Sequence, residues 1–232
     1  MAAAMLLATG VSAAGWAAER SDGRASEHAE EILEAMPFFA GEGQGRYRMV
    51  VEGRSGDRYE RTFVVERKKI RGTVHTRLKV LSPEDLSGRV YLFVDKKGND
   101  GAGAYWVWVP AFEETRQIEG AQRDGSLLRS HLTYRDILGV RSADEDSVQL
   151  DADGDTFKCT VSSKEGSDET TFDVASWEGK GAKVRVTKMT IRPSTGGYTR
   201  LELLDFQPDV SSKKRAFLPE GFGTAGEAPA GR

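Results

Sequence analysis

The sequence predicts a mainly β fold, about ten or eleven antiparallel strands in a single sheet that is strongly curved or rolled into a barrel. Three observations carry this. Apolar residues alternate with polar ones in successive runs from Arg46 to Phe206, the period of a half-buried strand rather than of a helix. The runs are bounded by Gly, Asp, Ser or Pro, the residues of tight turns. Two neighbouring runs are apolar on both faces, so both sides of that part of the sheet must be covered.

Taken in order, residues 1–17 read as an export signal. Ala2 to Val11 is an apolar run too short to span a bilayer, and Ser12-Ala13-Ala14 or Gly15-Trp16-Ala17 offers small residues for cleavage. No Lys or Arg precedes the run, so either the true start lies upstream of Met1, the preferred reading, or the run is not a signal. Residues 18–45 form an N-terminal helix and linker: Ala29, Ile32, Leu33 and Met36 recur at helical spacing from Glu27 to Phe39. Ser26 is placed to cap that helix and Pro37 to end it.

Residues 46–219 hold the strands. Tyr47, Met49 and Val51 share one face, Ser55-Gly56-Asp57 makes a hairpin turn, and Phe63 and Val65 continue between Arg61 and Arg67. Arg67-Lys68-Lys69 reads as a solvated strand end. A strand from Thr73 to Leu81 leads to the loop Ser82-Pro83-Glu84-Asp85. Val90 to Val94 and Tyr105 to Val109 are the doubly apolar pair, joined by a Gly-rich turn from Gly98 to Gly103. Strands resume at Ser147–Leu150, Thr156–Val161, Thr170–Trp177, Val184–Ile191 and Tyr198–Phe206. Residues 220–232, rich in Gly, Ala and Pro, read as a disordered tail.

Composition narrows the function. The 232 residues carry 33 basic and 36 acidic groups, a formal charge of −3, with basic residues dispersed, which argues against nucleic acid as a partner. No run beyond the signal is long enough to cross a membrane as a helix, so an integral membrane protein is not expected. The single Cys159 cannot form an internal disulfide, and His28, His75 and His131 are scattered, so neither a metal nor another cofactor is called for. Asp151-Ala152-Asp153-Gly154-Asp155 departs from a calcium loop because its glycine comes too early and Ser162 stands at the twelfth position. No Gly-x-Ser-x-Gly is present, and no catalytic residue is assigned: the chain is not expected to be an enzyme.

The aromatic cluster is the candidate site. Trp106 and Trp108 project to one side of their strand, and Tyr105, Val107 and Val109 to the other. With Tyr91, Phe93, Leu127 and Leu128 they offer more apolar surface than a one-sided sheet needs. Tyr91, Phe93, Trp106, Trp108, Leu127 and Leu128 are therefore the expected lining of an apolar cavity. A lipid chain gains about 0.8 kcal/mol per buried methylene and needs no polar signature.

Several segments carry a resemblance. Leu81-Ser82-Pro83 with Ser87-Gly88, Trp106-Val107-Trp108-Val109-Pro110, Arg116-Gln117-Ile118, and Gly125-Ser126 through Tyr134-Arg135-Asp136 resemble the outer-membrane lipoprotein-sorting protein family, relatives of LolA. The similarity runs from Tyr47 to Asp136 and more weakly to Pro219. His131-Leu132 and the single Arg116 depart from the family's usual residues. The resemblance implies an incomplete, unclosed antiparallel β-barrel with a helical and loop lid over an apolar cavity. It also implies a periplasmic carrier of a lipid or lipoprotein acyl chain, handing it toward a membrane transporter or outer-membrane acceptor. Tyr134 and Asp136 would brace the lid. The rival reading is a non-catalytic sensor or interaction module that holds a protein partner on the same fold.

Overall fold

The computed structural model describes residues 27–95, 103–138, 146–153, 156–163 and 168–223. The expected export signal, the Ser26 cap, most of the Gly98–Gly103 turn and the end of the tail lie outside these residues.

The described residues form eleven strands: β1 (Gly43–Glu52), β2 (Arg58–Ile70), β3 (Thr73–Ser82), β4 (Val90–Asp95), β5 (Ala104–Val109), β6 (Glu114–Ile118), β7 (Asp146–Asp153), β8 (Thr156–Ser163), β9 (Glu169–Glu178), β10 (Arg185–Pro193) and β11 (Tyr198–Gln207). They form one antiparallel sheet in the order β6-β5-β4-β3-β2-β1-β11-β10-β9-β8-β7. Two meanders, β1 to β6 and β7 to β11, are joined by the long pairing of β1 with β11. The edge strands β6 and β7 do not pair with each other, so the barrel is open, as the resemblance led one to expect. Register shifts at Arg46/Tyr47, at Thr62/Phe63 and within β10 add twist and bend the strands.

Among the described residues, the helix α1 (Ala29–Ala35) precedes the sheet. Glu30 and Glu31 in its first turn favour the positive end of the helix dipole. Pro37, which has no N–H to donate, follows its end. The helix is shorter than the expected Glu27–Phe39. Phe38 and Phe39 leave it as extended chain, with Phe38 O accepting from Val186 N and Ala40 N donating to Val184 O.

The main core lies on the concave face. It holds Tyr47, Met49 and Val51 of β1, Phe63 and Val65 of β2, Leu78 and Val80 of β3, and Phe157 and Cys159 of β8. Cys159 is fully buried. Alternation places these side chains together because every second residue of a strand faces the same way. The convex face also carries apolar clusters. Val90, Leu92 and Val94 pack with Trp106, Trp108 and Phe222, and Ile70 packs with Val210, Ala216 and Phe217. The covering segment comes from the end of the chain, where a tail was expected from residue 220. Instead Phe222 is fully buried, and a Cβ on Gly223 would land 2.4 Å from the Trp108 ring.

Candidate functional site: the covered concave face

Among the described residues, no second sheet covers the concave face. Its covers are α1 with the chain that follows it, and the lid segment between β6 and β7. Ile32, Leu33, Met36 and Phe38 come from the first cover; Leu127, Leu128, Leu132 and Ile137 come from the second. Phe38 sits between two sheet aromatics, its ring 4.9 Å from Tyr47 and 5.9 Å from Phe63. Arg67 Nη1 donates to the Phe39 carbonyl, its Nε donates to Thr76 Oγ1 at 3.2 Å, and its guanidinium lies 5.5 Å from the Phe39 ring. The expectation of a solvated strand end fails at this residue: Arg67 has the parity of Phe63 and Val65, points inward and is 9% exposed. Its alternation with apolar neighbours was the available signal.

The lid is tied at several points. Leu127 N donates to Leu132 O at 2.7 Å, and Tyr134 N to Gly125 O at 3.2 Å. Asp136 Oδ2 accepts from Thr133 N at 2.6 Å and from Thr133 Oγ1 at 2.9 Å, so the carboxylate closes its own turn. The Tyr134 ring lies 5.9 Å from that of Tyr91. Burial pushes the Tyr134 hydroxyl up to about 12 and raises that of Tyr91 too. Across the mouth, His131 N donates to Thr199 Oγ1 of β11 at 3.0 Å.

The structure divides the six expected lining residues. Tyr91, Phe93, Leu127 and Leu128 meet in the concave core, all nearly or fully buried. Trp106 and Trp108 lie on the opposite face, half-buried beneath Phe222. The two groups share strands but no chamber, because Tyr105 and Val107 take the inward positions of β5. The convex cover is also polar-locked: His75 Nδ1 lies 2.8 Å from Phe217 O, and Arg77 Nε donates to Phe222 O at 3.3 Å. Arg77 further pairs with Glu66 at 2.6 Å, the two side chains being 5% and 3% exposed.

The concave face is packed by the protein's own side chains. Among the polar atoms there, the Tyr47 hydroxyl is buried without a hydrogen-bond partner. Desolvation raises its pKa strongly, so it stays a neutral phenol. A pocket of about 290 Å³ lies along β7 to β9, lined by Asp151, Thr156, Phe157, Lys158, Asp173, Val174 and Ala175. Among the described residues, no three His, Cys, Asp or Glu are grouped to hold a metal ion. No described helix is long and apolar enough to cross a membrane.

A family model described only as that of an uncharacterized protein matches residues 72–173, less than half of the chain. No curated protein matches the sequence. Solved structures do resemble it. A DUF1329 family protein from Desulfovibrio piger superposes with a TM-score of 0.65 at 18% identity, over 83% of this chain and 95% of that one. A putative outer membrane lipoprotein-sorting protein domain from Vibrio parahaemolyticus gives 0.64 at 15% identity, over 83% and 94%. A LolA superfamily protein from Nitrosomonas europaea gives 0.58 at 13% identity, over 84% and 97%. These likenesses match the resemblance carried by the motifs, and what they show is the fold: an open, LolA-like antiparallel barrel with a covered concave face.

Proposed function

We propose that the protein is a non-enzymatic carrier in the bacterial periplasm that takes up a lipid or lipoprotein acyl chain along its concave face. The structure described here is then the closed form, with α1, Phe38 and the lid occupying the place of the guest. One observation carries the reading: the largest apolar surface of the sheet is covered by short, separately tethered segments rather than by a second sheet. Such covers can leave without unpairing a strand. The unpartnered Tyr47 hydroxyl adds to it, since a buried unmatched polar atom costs about 1–3 kcal/mol and marks a closed packing that is less than optimal. The lipoprotein-sorting domain that shares the fold supports the choice of an acyl chain.

Tyr91, Phe93, Leu127 and Leu128 would contact the guest, with Tyr134 and Asp136 holding the lid. Trp106 and Trp108, under the convex cover, would not. Delivery to a membrane transporter or an outer-membrane acceptor belongs to this reading. Purified protein should carry organic-extractable lipid visible by mass spectrometry, or take up a fluorescent fatty acid. Protein that does neither, over repeated preparations, ends the carrier reading. The rival, an interaction module binding a protein partner on the same fold, is favoured by the packed concave face and would be supported by a stable complex formed without lipid.

A further inference from the structure

We infer that the mouth beside the lid holds an oxyanion site, built on Arg61, Arg89 and Arg129, that takes the phosphate headgroup of an anionic lipid. The inference rests on the carrier reading and adds the class of lipid carried.

The register brings these side chains to one end of the sheet. β2 and β4 begin there, and β1, β3 and β5 finish there. Arg61 has the parity of Phe63 and Val65, and Arg89 that of Tyr91 and Phe93, so both emerge on the concave side. Arg129 arrives on the lid, two residues before His131 crosses to Thr199. Arg61 is only 4% exposed. Its Nη1 reaches the carbonyl of the adjacent Glu60 at a long 3.4 Å, while its Nε has no partner. Arg89 Nε is likewise buried and unmatched, although Arg89 also bonds the Tyr91 hydroxyl.

Buried guanidinium nitrogens are ordinarily satisfied, because an unmatched polar group, and above all a charged one, is costly away from water. Burial, and then the nearby Arg129 charge, disfavour the charged form of Arg61; Asp85 is the carboxylate that opposes them. An oxyanion at this point would accept the free Nε–H donors in the short, charge-assisted geometry that arginine offers to phosphate. Tyr59 and Leu81, exposed at 40% and 38%, stand at the same end, so the site opens beside apolar rim residues. A phosphate held here leaves an attached acyl chain directed along Met49, Phe63 and Tyr91.

The test compares uptake of a fluorescent phosphatidic acid with that of a diacylglycerol of the same chains, and follows inorganic phosphate by 31P line broadening. The wild type should prefer the phosphatidic acid by about tenfold or more, as charge-assisted hydrogen bonds to arginine imply. The preference should vanish in Arg61→Gln and Arg89→Gln, and weaken in the exposed Arg129→Gln and in Arg61→Lys, which keeps the charge but not the Nε–H donor, with diacylglycerol uptake unchanged throughout. Equal uptake of both lipids by the wild type overturns the site and leaves the carrier reading standing. No lipid uptake, with phosphate broadening that the arginine variants abolish, keeps the oxyanion site, assigns it to free phosphate and overturns both the lipid assignment and the carrier reading.

Discussion

Replacing Phe38 by alanine separates a removable plug from an ordinary core residue. Phe38 is fully buried, with its ring 4.9 Å from Tyr47 and 5.9 Å from Phe63. Truncating a buried phenylalanine costs about 3–5 kcal/mol, which in a chain of 232 residues lowers the melting midpoint by roughly 6–20 °C. That loss falls on the closed form alone. Once the segment after α1 has left the sheet, residue 38 is in solvent in both proteins and the substitution removes no packing. The balance between closed and open forms therefore shifts by the same ~3–5 kcal/mol. At about 1.4 kcal/mol per decade, apparent affinity for an acyl probe rises about a hundredfold or more, until the open form predominates. Fluorescent fatty-acid titration read beside thermal unfolding measures both quantities. A lowered midpoint with unchanged or weaker uptake refutes the idea that Phe38 and an acyl chain compete for one place.

Two further outcomes concern the convex cover and its polar lock. Glu66→Gln leaves the Arg77 charge buried without its 2.6 Å counter-ion and should cost about 3–5 kcal/mol in urea unfolding. The double variant Glu66→Gln, Arg77→Met should cost less than Glu66→Gln alone, and a larger loss would show that the pair is not the stabilising unit. The His75 pKa is pushed below its ordinary 6.5 by burial, against the raising effect of the Phe217 carbonyl. Because its folded pKa lies below the unfolded one, the unfolded chain takes up the proton first. The stability tied to neutral His75 is complete above about pH 6.5 and is lost as the pH falls through the folded pKa. Unfolding midpoints should therefore drop between neutral and mildly acidic pH, by less in His75→Gln; equal drops in the two proteins exclude His75 as the cause.

Strand count, antiparallel order and the inward parity of Tyr47, Phe63 and Tyr91 were legible because each depends on neighbours two residues apart, whereas the expected lining put Trp106 and Trp108 inward where the structure has Tyr105 and Val107. The double cover of β4 and β5 was legible for the same reason: strands apolar on both faces need two partners. The identity of those partners was not. Phe222 reaches Trp106 and Trp108, and Arg77 reaches Phe222 O across 145 residues; no local period records such a pairing. Composition misled as well, since a Gly- and Pro-rich end reads as disorder although a single buried aromatic ties its start to the sheet. Arginines were misread at Arg67, where a basic run suggested solvent and the parity of one member pointed into the core.

The two covers have unequal roles, and the inequality bears on how a closed form can open. β4 and β5 carry apolar side chains on both faces, so stripping both covers at once would leave them without either packing partner. On the convex side, Phe217 and Phe222 are fully buried and their backbone carbonyls meet His75 and Arg77. Burying two such rings is worth about 1.5–3 kcal/mol each, in addition to the hydrogen bonds. The concave covers are tied by Arg67 on Phe39, by the backbone bonds of Phe38 and Ala40 to Val186 and Val184, and by Thr199 beneath His131. With the convex cover in place, departure of α1 and the lid exposes one face of β4 and β5 while their ladders remain intact. A guest chain then replaces apolar contact with apolar contact, so the free energy of opening is offset at the surface where it is incurred. On the proposed carrier reading, a convex cover that stays while the concave covers leave accommodates both a packed concave core and a guest in the same molecule.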